Sequence, residues 1–146
     1  MKEQLTAEEY RKVKPKRKQH KEESLQIQVA RYLKLKHPDI IFHSDVASGM
    51  KLTMGQAMKN KAMQSGKGFP DMFIAQPNLN HSGLFLELKK EGSTVWLRNG
   101  LLSQNEHIQG QHAIHRRLHS NGYYATFAIG FNSAVEIIEK YFSSEI

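Results

Sequence analysis

From Leu25 onward, Leu25, Val29, Tyr32 and Leu33 recur at the spacing of a helix face, with Ser24 placed to cap and Pro38 to stop the segment after His37. Ile40-Ile41-Phe42-His43 then reads as a short buried strand. Met54, Ala57, Met58 and Ala62 carry a second, shorter helical pattern that ends at Gly66. Methionines so spaced read first as core filling, and second as a substrate-facing flap or a subunit contact. Met72-Phe73-Ile74 and residues 84–89 are two strands separated by residues 76–83, which are dense in turn formers, so the pair is predicted to form an antiparallel hairpin with a long loop. Val95-Trp96-Leu97-Arg98 followed by Asn99-Gly100 fits either a small extra hairpin or an irregular excursion.

The C-terminal half repeats the alternation. Ser103 and Glu106 have capping-box spacing, and Ile108, Gln111, Ile114, His115 and Leu118 then share one side of a helix ending at Asn121-Gly122. Residues 123–129 are nearly continuously apolar, the pattern of a central parallel strand reached by a helical crossover. Ser133 and Glu136 form a second candidate capping box before Val135, Ile138, Tyr141 and Phe142. The expected class is therefore α/β, a mixed sheet flanked by helices.

Composition narrows what such a domain can do. At 146 residues the chain fits one domain with a real core, and its formal charge of +7 favours a polyanionic partner, nucleic acid or an anionic membrane surface. No apolar run approaches a membrane span, and the polar N-terminus lacks the apolar stretch of a signal peptide, so the expected location is cytoplasmic. The absence of cysteine removes disulfides, thiol nucleophiles and thiolate-bound zinc, leaving oxygen and imidazole as metal ligands. Residues 1–22 hold Arg11, Lys12, Lys14, Lys16, Arg17, Lys18 and Lys21 with few large apolar side chains, and read as a flexible basic arm. Such an arm is either a solubilising tail or a nucleic-acid contact, and the overall basic excess favours contact.

The candidate chemistry lies between Gly68 and Lys89. Alternate residues of a strand share a face, so Phe85, Glu87 and Lys89 stand together while Leu84, Leu86 and Leu88 take the other side. Asp71, at the mouth of the paired strand, can approach Glu87. Two carboxylates beside a lysine can hold a hard cation and hydrolyse a phosphodiester. Gln111, on an inward helix face, points to a wet polar site, because a buried amide is costly without partners. Taken singly, Asp71 could merely open a strand and Glu87–Lys89 could be a surface ion pair of little consequence; together with the charge they favour catalysis. His115 and His119 are spaced to share a helix face, but no third ligand and no His-Glu-X-X-His pattern accompanies them, and with His107 and His112 they read as a solvated, partly cationic face with Arg116 and Arg117. Trp96 could stack on a base, although packing under a loop is the commoner fate of such a residue.

Pro70-Asp71 on one strand and Glu87-Leu88-Lys89 on the next, in the order helix, three strands, helix, strand, resemble the PD-(D/E)XK nuclease superfamily. More narrowly, Gly68-Phe69-Pro70-Asp71, Gln111, Gly122 and the apolar strand after it resemble the small VRR-NUC domain of phage and bacterial proteins, over residues 23–146. The resemblance implies a restriction-endonuclease-like sheet with an αβββαβ core plus a C-terminal helix. It implies that Asp71, Glu87 and the Leu88 carbonyl coordinate Mg²⁺ or Mn²⁺, with Glu23 reaching the metal directly or through water. Lys89 would orient or deprotonate the attacking water, and Gln111 would position Lys89 or a water. The stretch 90–104 is longer than a simple link, so Gln104 or Gln109 competes for the role of Gln111. The implied function is a divalent-metal-dependent DNA endonuclease, a homodimer acting on branched or structured DNA such as Holliday junctions. The alternative is a non-catalytic nucleic-acid-binding module that keeps the nuclease fold.

Overall fold

The first helix, α1 (Leu25–Lys36), begins where Ser24 Oγ accepts the Ile27 N–H at 3.3 Å and ends at His37, one residue before Pro38. The structure, a computed structural model, describes residues 24–48 and 50–146. The basic arm read over residues 1–22, and Glu23, lie outside the described residues. After α1 come β1 (Phe42–Ser44), α2 (Met54–Ala62), β2 (Met72–Ile74), β3 (Leu84–Lys89), α3 (Glu106–Ser120), β4 (Tyr124–Ile129) and α4 (Gly130–Phe142).

The four strands form one mixed sheet in the order β1-β2-β3-β4. β1 with β2 and β2 with β3 are antiparallel, and β3 with β4 is parallel, the crossover being α3. Leu84 and Leu86 of β3, with Met72 and Ile74 of β2, enter the core formed with Val29 and Leu33 of α1 and Ala134, Ile138 and Tyr141 of α4. Each fully buried aliphatic side chain here contributes roughly 1.5–3 kcal/mol. The opposite face carries Phe85, Glu87 and Lys89 towards α3, so the period-two alternation of β3 separates core from candidate chemistry.

Several expectations change. β4 is an edge strand of the sheet; it reads as continuously apolar because both α3 and α4 pack on it. β1 starts at Phe42, and Ile41 is exposed, so the segment is not the buried strand its composition implies. The methionines of α2 are not core. None of the helix is buried, and Met54 and Met58 are 82% and 68% exposed. Its helicity needs no tertiary burial to start: Thr53 Oγ1 accepts the Gln56 N–H at 3.2 Å and Gln56 Oε1 accepts the Thr53 N–H at 3.0 Å, a closed capping box.

The two capping boxes read from sequence are also displaced. Asn105 caps α3, its Oδ1 accepting the His107 and Ile108 N–H groups, while Ser103 Oγ accepts from Asn105 N–H. α4 begins at Gly130, ahead of Ser133, whose Oγ reaches back to accept the Ile129 N–H at 3.2 Å. The stretch after β3 resolves into a small hairpin, with an antiparallel bridge between Trp96 and Leu102. Among the described residues no helix is long and apolar enough to cross a membrane.

Candidate active site

Pairing of Met72 with Leu86 in the β2–β3 ladder sets the site, because the next step of an antiparallel register brings Asp71 across from Glu87. Both carboxylates then lie on the α3 side of the sheet. Asp71 is held by two donors: the Leu88 N–H meets Oδ2 at 2.8 Å, and Ser48 Oγ–H donates to Oδ1. Its backbone is fixed too, since the Asp71 carbonyl accepts the Asp45 N–H at 2.8 Å and the Gln26 amide at 3.3 Å. Each carboxylate oxygen of Asp71 keeps acceptor capacity beyond these bonds.

Gln111 closes the constellation from α3. Its Nε2 donates to Glu87 Oε1 at 2.6 Å, and its Oε1 accepts from Lys89 Nζ at 2.7 Å. A residue that is both donor and acceptor is needed to join a carboxylate and an ammonium in this way, and both ends of the buried amide are satisfied. Lys89 Nζ also lies 3.7 Å from Glu87 Oε1 and 5.9 Å from the centroid of the Phe127 ring. Gln104 and Gln109 do not compete for this place: both are exposed, and Gln109 Nε2 turns away to the Ser103 carbonyl at 2.7 Å.

Glu87 is 4% exposed, and burial is the main reason its carboxyl is pushed up to about 8 from an ordinary 4.5. The Asp71 charge pushes in the same direction, and Lys89 opposes it only in part. Glu87 Oε2 is buried with no hydrogen-bond partner. Two neighbouring carboxylates with an unused oxygen are short of positive charge, which a shared proton or a cation can supply. Among the described residues no group of three or more His, Asp or Glu side chains could hold a metal. The donor set nevertheless fits Mg²⁺ or Mn²⁺, because Mg²⁺ commonly takes one or two protein carboxylates and fills its remaining positions with water and substrate oxygens. Of the residues implied by resemblance, Asp71, Glu87, Leu88, Lys89 and Gln111 come together; Glu23 lies outside the described residues.

The polar cluster opens to solvent beside α3. A cleft of about 290 Å³ is lined by Lys67, Gly68, Glu106, His107, Gly110 and Gln111. Gly68 has φ +87°, and a Cβ there would sit 3.3 Å from the Gly110 carbonyl oxygen, so a glycine lets this loop touch the helix backbone.

The histidine face of α3 is only partly solvated. His107 is exposed, whereas His115 is buried against Phe127 and lowered to about 4 from 6.5, chiefly by burial and then by His112, His119 and Lys89. His119 Nε2 donates to the Ala125 carbonyl at 2.8 Å and its ring stacks on Tyr124. Sequence reasoning also missed Ser48 and Gln26, the two side chains that fix Asp71; neither lies in a periodic pattern, and each acts through a contact distant in the chain.

No protein-family model and no curated protein sequence matches the chain. Solved structures similar to it include two whose titles name a domain. One, titled "VRR_NUC domain protein", is 24% identical, with a TM-score of 0.48 over 70% of this chain and 67% of that one. The other, titled "VRR_NUC domain", is 20% identical, with a TM-score of 0.44 over 82% of this chain and 99% of that one. Both structures are titled as VRR-NUC domains.

Proposed function

We propose that the chain is a divalent-metal-dependent nuclease that hydrolyses DNA phosphodiester bonds. The observation that carries this reading is the Glu87–Gln111–Lys89 bridge set beside Asp71, with Glu87 Oε2 buried and unpartnered. A core built for stability alone would avoid it, since an incompletely paired buried carboxylate costs free energy.

Asp71, Glu87 and the Leu88 carbonyl would hold Mg²⁺ or Mn²⁺, which when bound offsets phosphate charge and acidifies water. Lys89, held by Gln111, orients the attacking water and offsets charge on the phosphoryl oxygens as an ammonium, or takes the proton of that water as a neutral amine. Gln111 holds that lysine and Glu87 at a set separation, and Ser48 and the Leu88 N–H hold Asp71. Hydrolysis breaks one P–O bond and leaves a 5′-phosphate and a 3′-hydroxyl. Branched DNA, bound by a homodimer with two sites, is the substrate class attached to this reading. The pairing of only two carboxylates among the described residues favours a second reading, a nucleic-acid-binding module without catalysis.

Labelled linear, flap and four-way DNA, incubated with Mg²⁺, Mn²⁺ or EDTA, separates the two. Cleavage is expected only with metal, to vanish in Asp71→Ala, and to vanish in Lys89→Ala while DNA binding persists. Unchanged cutting by both variants would remove the catalytic assignment, and binding without cutting under every condition would favour the binding module.

A further inference from the structure

The hairpin that follows β3 is closed by backbone hydrogen bonds, yet it turns large apolar side chains into solvent. Val95, fully buried, anchors it. The Ser103 N–H reaches the Val95 carbonyl at 2.8 Å, the Leu97 N–H the Leu101 carbonyl at 2.8 Å, and the Gly100 N–H the Leu97 carbonyl at 2.9 Å. Asn99 Oδ1 adds a bond to the Leu101 N–H at 3.1 Å. On the arm of the hairpin, bridged to Leu102, Trp96 is 49% exposed, and Leu97 and Leu101 next to the turn are exposed with it. The hairpin therefore spends ordered backbone to present apolar surface, which calls for a partner.

We propose that Trp96 is a stacking platform for an unpaired base of the DNA strand held at the Asp71–Glu87–Lys89 site. The inference rests on the nuclease reading for its substrate. Its geometry comes from the hairpin, whose indole meets the His112 ring T-shaped at 5.9 Å. His112 follows Gln111, the residue that holds Glu87 and Lys89, so platform and polar site are fixed to the same stretch of α3. Charge selects the occupant. Arg98 at the tip and Lys90 where the chain leaves β3 are exposed, and the chain carries a formal +7, which suits a polyanion at this surface. An indole face stacks on any base without reading sequence, and a base inside a continuous duplex already has both faces covered. The substrate feature recognised is therefore a base freed at a flap, junction, gap or strand end.

Trp96 is the chain's one tryptophan, so its fluorescence reports the contact directly. Wild-type protein in EDTA, where no cleavage is expected, is titrated with a dT oligonucleotide, a flap DNA and a blunt duplex; sedimentation run in parallel measures the oligomeric state. The dT strand and the flap should quench Trp96 to saturation, with the blunt duplex quenching far less. Trp96→Ala should weaken flap binding by about 5- to 150-fold, while Trp96→Phe keeps most of the affinity. Circular dichroism checks that both variants are folded. Saturated DNA binding with no change in Trp96 emission would overturn the inference, as would equal affinity of wild type and Trp96→Ala, or quenching that tracks self-association alone. Quenching without metal-dependent cleavage would leave the platform standing and remove the nuclease reading; cleavage indifferent to Trp96 would do the reverse.

Discussion

Lys89 ends β3 with its ammonium held by Gln111 and set against Glu87 and the Phe127 ring, while Lys59 and Lys61 stand exposed on α2, a helix that buries nothing. The first region is a closed network in which each side chain limits its neighbours. The second is a capped helix with methionines outward and basic residues in its last turn. The difference separates two demands. Groups that meet a reacting centre must be placed within fractions of an ångström, which takes buried partners. Groups that meet a long polyanion need charge and adaptable apolar surface, which a solvated helix supplies without packing.

If the site is built against stability, removing its charge should stabilise the chain. The Glu87 carboxyl is raised to about 8 from 4.5, so between those values the folded chain keeps a proton that the unfolded chain has released. The favourable contribution is complete below about pH 4.5 and is lost as pH rises through 8. Glu87→Gln, unfolded by urea in metal-free buffer, should show little gain at pH 4.5 and a gain on the order of 4 kcal/mol at pH 8. It should also lose metal-dependent cleavage. A gain that does not grow with pH would mean that the carboxylate is not strained.

His115 bears on the same comparison with the opposite sign. Its imidazole is lowered to about 4 from 6.5, so between those values the unfolded chain takes up a proton that the folded chain refuses. Stability is intact above about pH 6.5, falls as pH drops, and levels off below about 4. Near pH 4 the loss should reach at most about 3 kcal/mol, and His115→Phe should flatten this acid limb of the unfolding profile. An unchanged limb would place the acid sensitivity elsewhere.

The smallest effect belongs to the solvated helix. Met54→Ala and Met58→Ala should each change stability by less than about 0.5 kcal/mol in thermal unfolding, as surface substitutions do. A loss near the 2–5 kcal/mol usual for a buried Leu33→Ala type of change would show that α2 packs after all.

These two regions also differ in how far they could be read from the amino-acid order. Alternation over residues 84–89 placed Glu87 and Lys89 on one face, and helical spacing turned Gln111 inward; both are local geometry, fixed by a strand period of two and a helix period of 3.6. Methionine spacing in α2 carried the same periodicity but no sense of direction. A helical stripe is identical whether it faces a core or water, and only the absence of a tertiary partner decides it. Ser48 and Gln26 were illegible because their partners are brought near by the sheet and not by the chain. Cap positions slipped because several polar residues near each helix start offer competing oxygens, as Ser103 and Asn105 do before α3.

Gly68 and Gly110 meet where the loop before Asp71 touches α3, yet only one of them is obliged to be glycine. Gly68 has a positive φ and faces carbonyl backbone, whereas a Cβ on Gly110 would point into open space. Over evolutionary time the helix position can drift towards alanine, and the loop position cannot. A glycine invariant among relatives at Gly68 would thus record the thickness of a backbone crossing, and its constancy would owe nothing to the carboxylate of Asp71 three residues further along the chain.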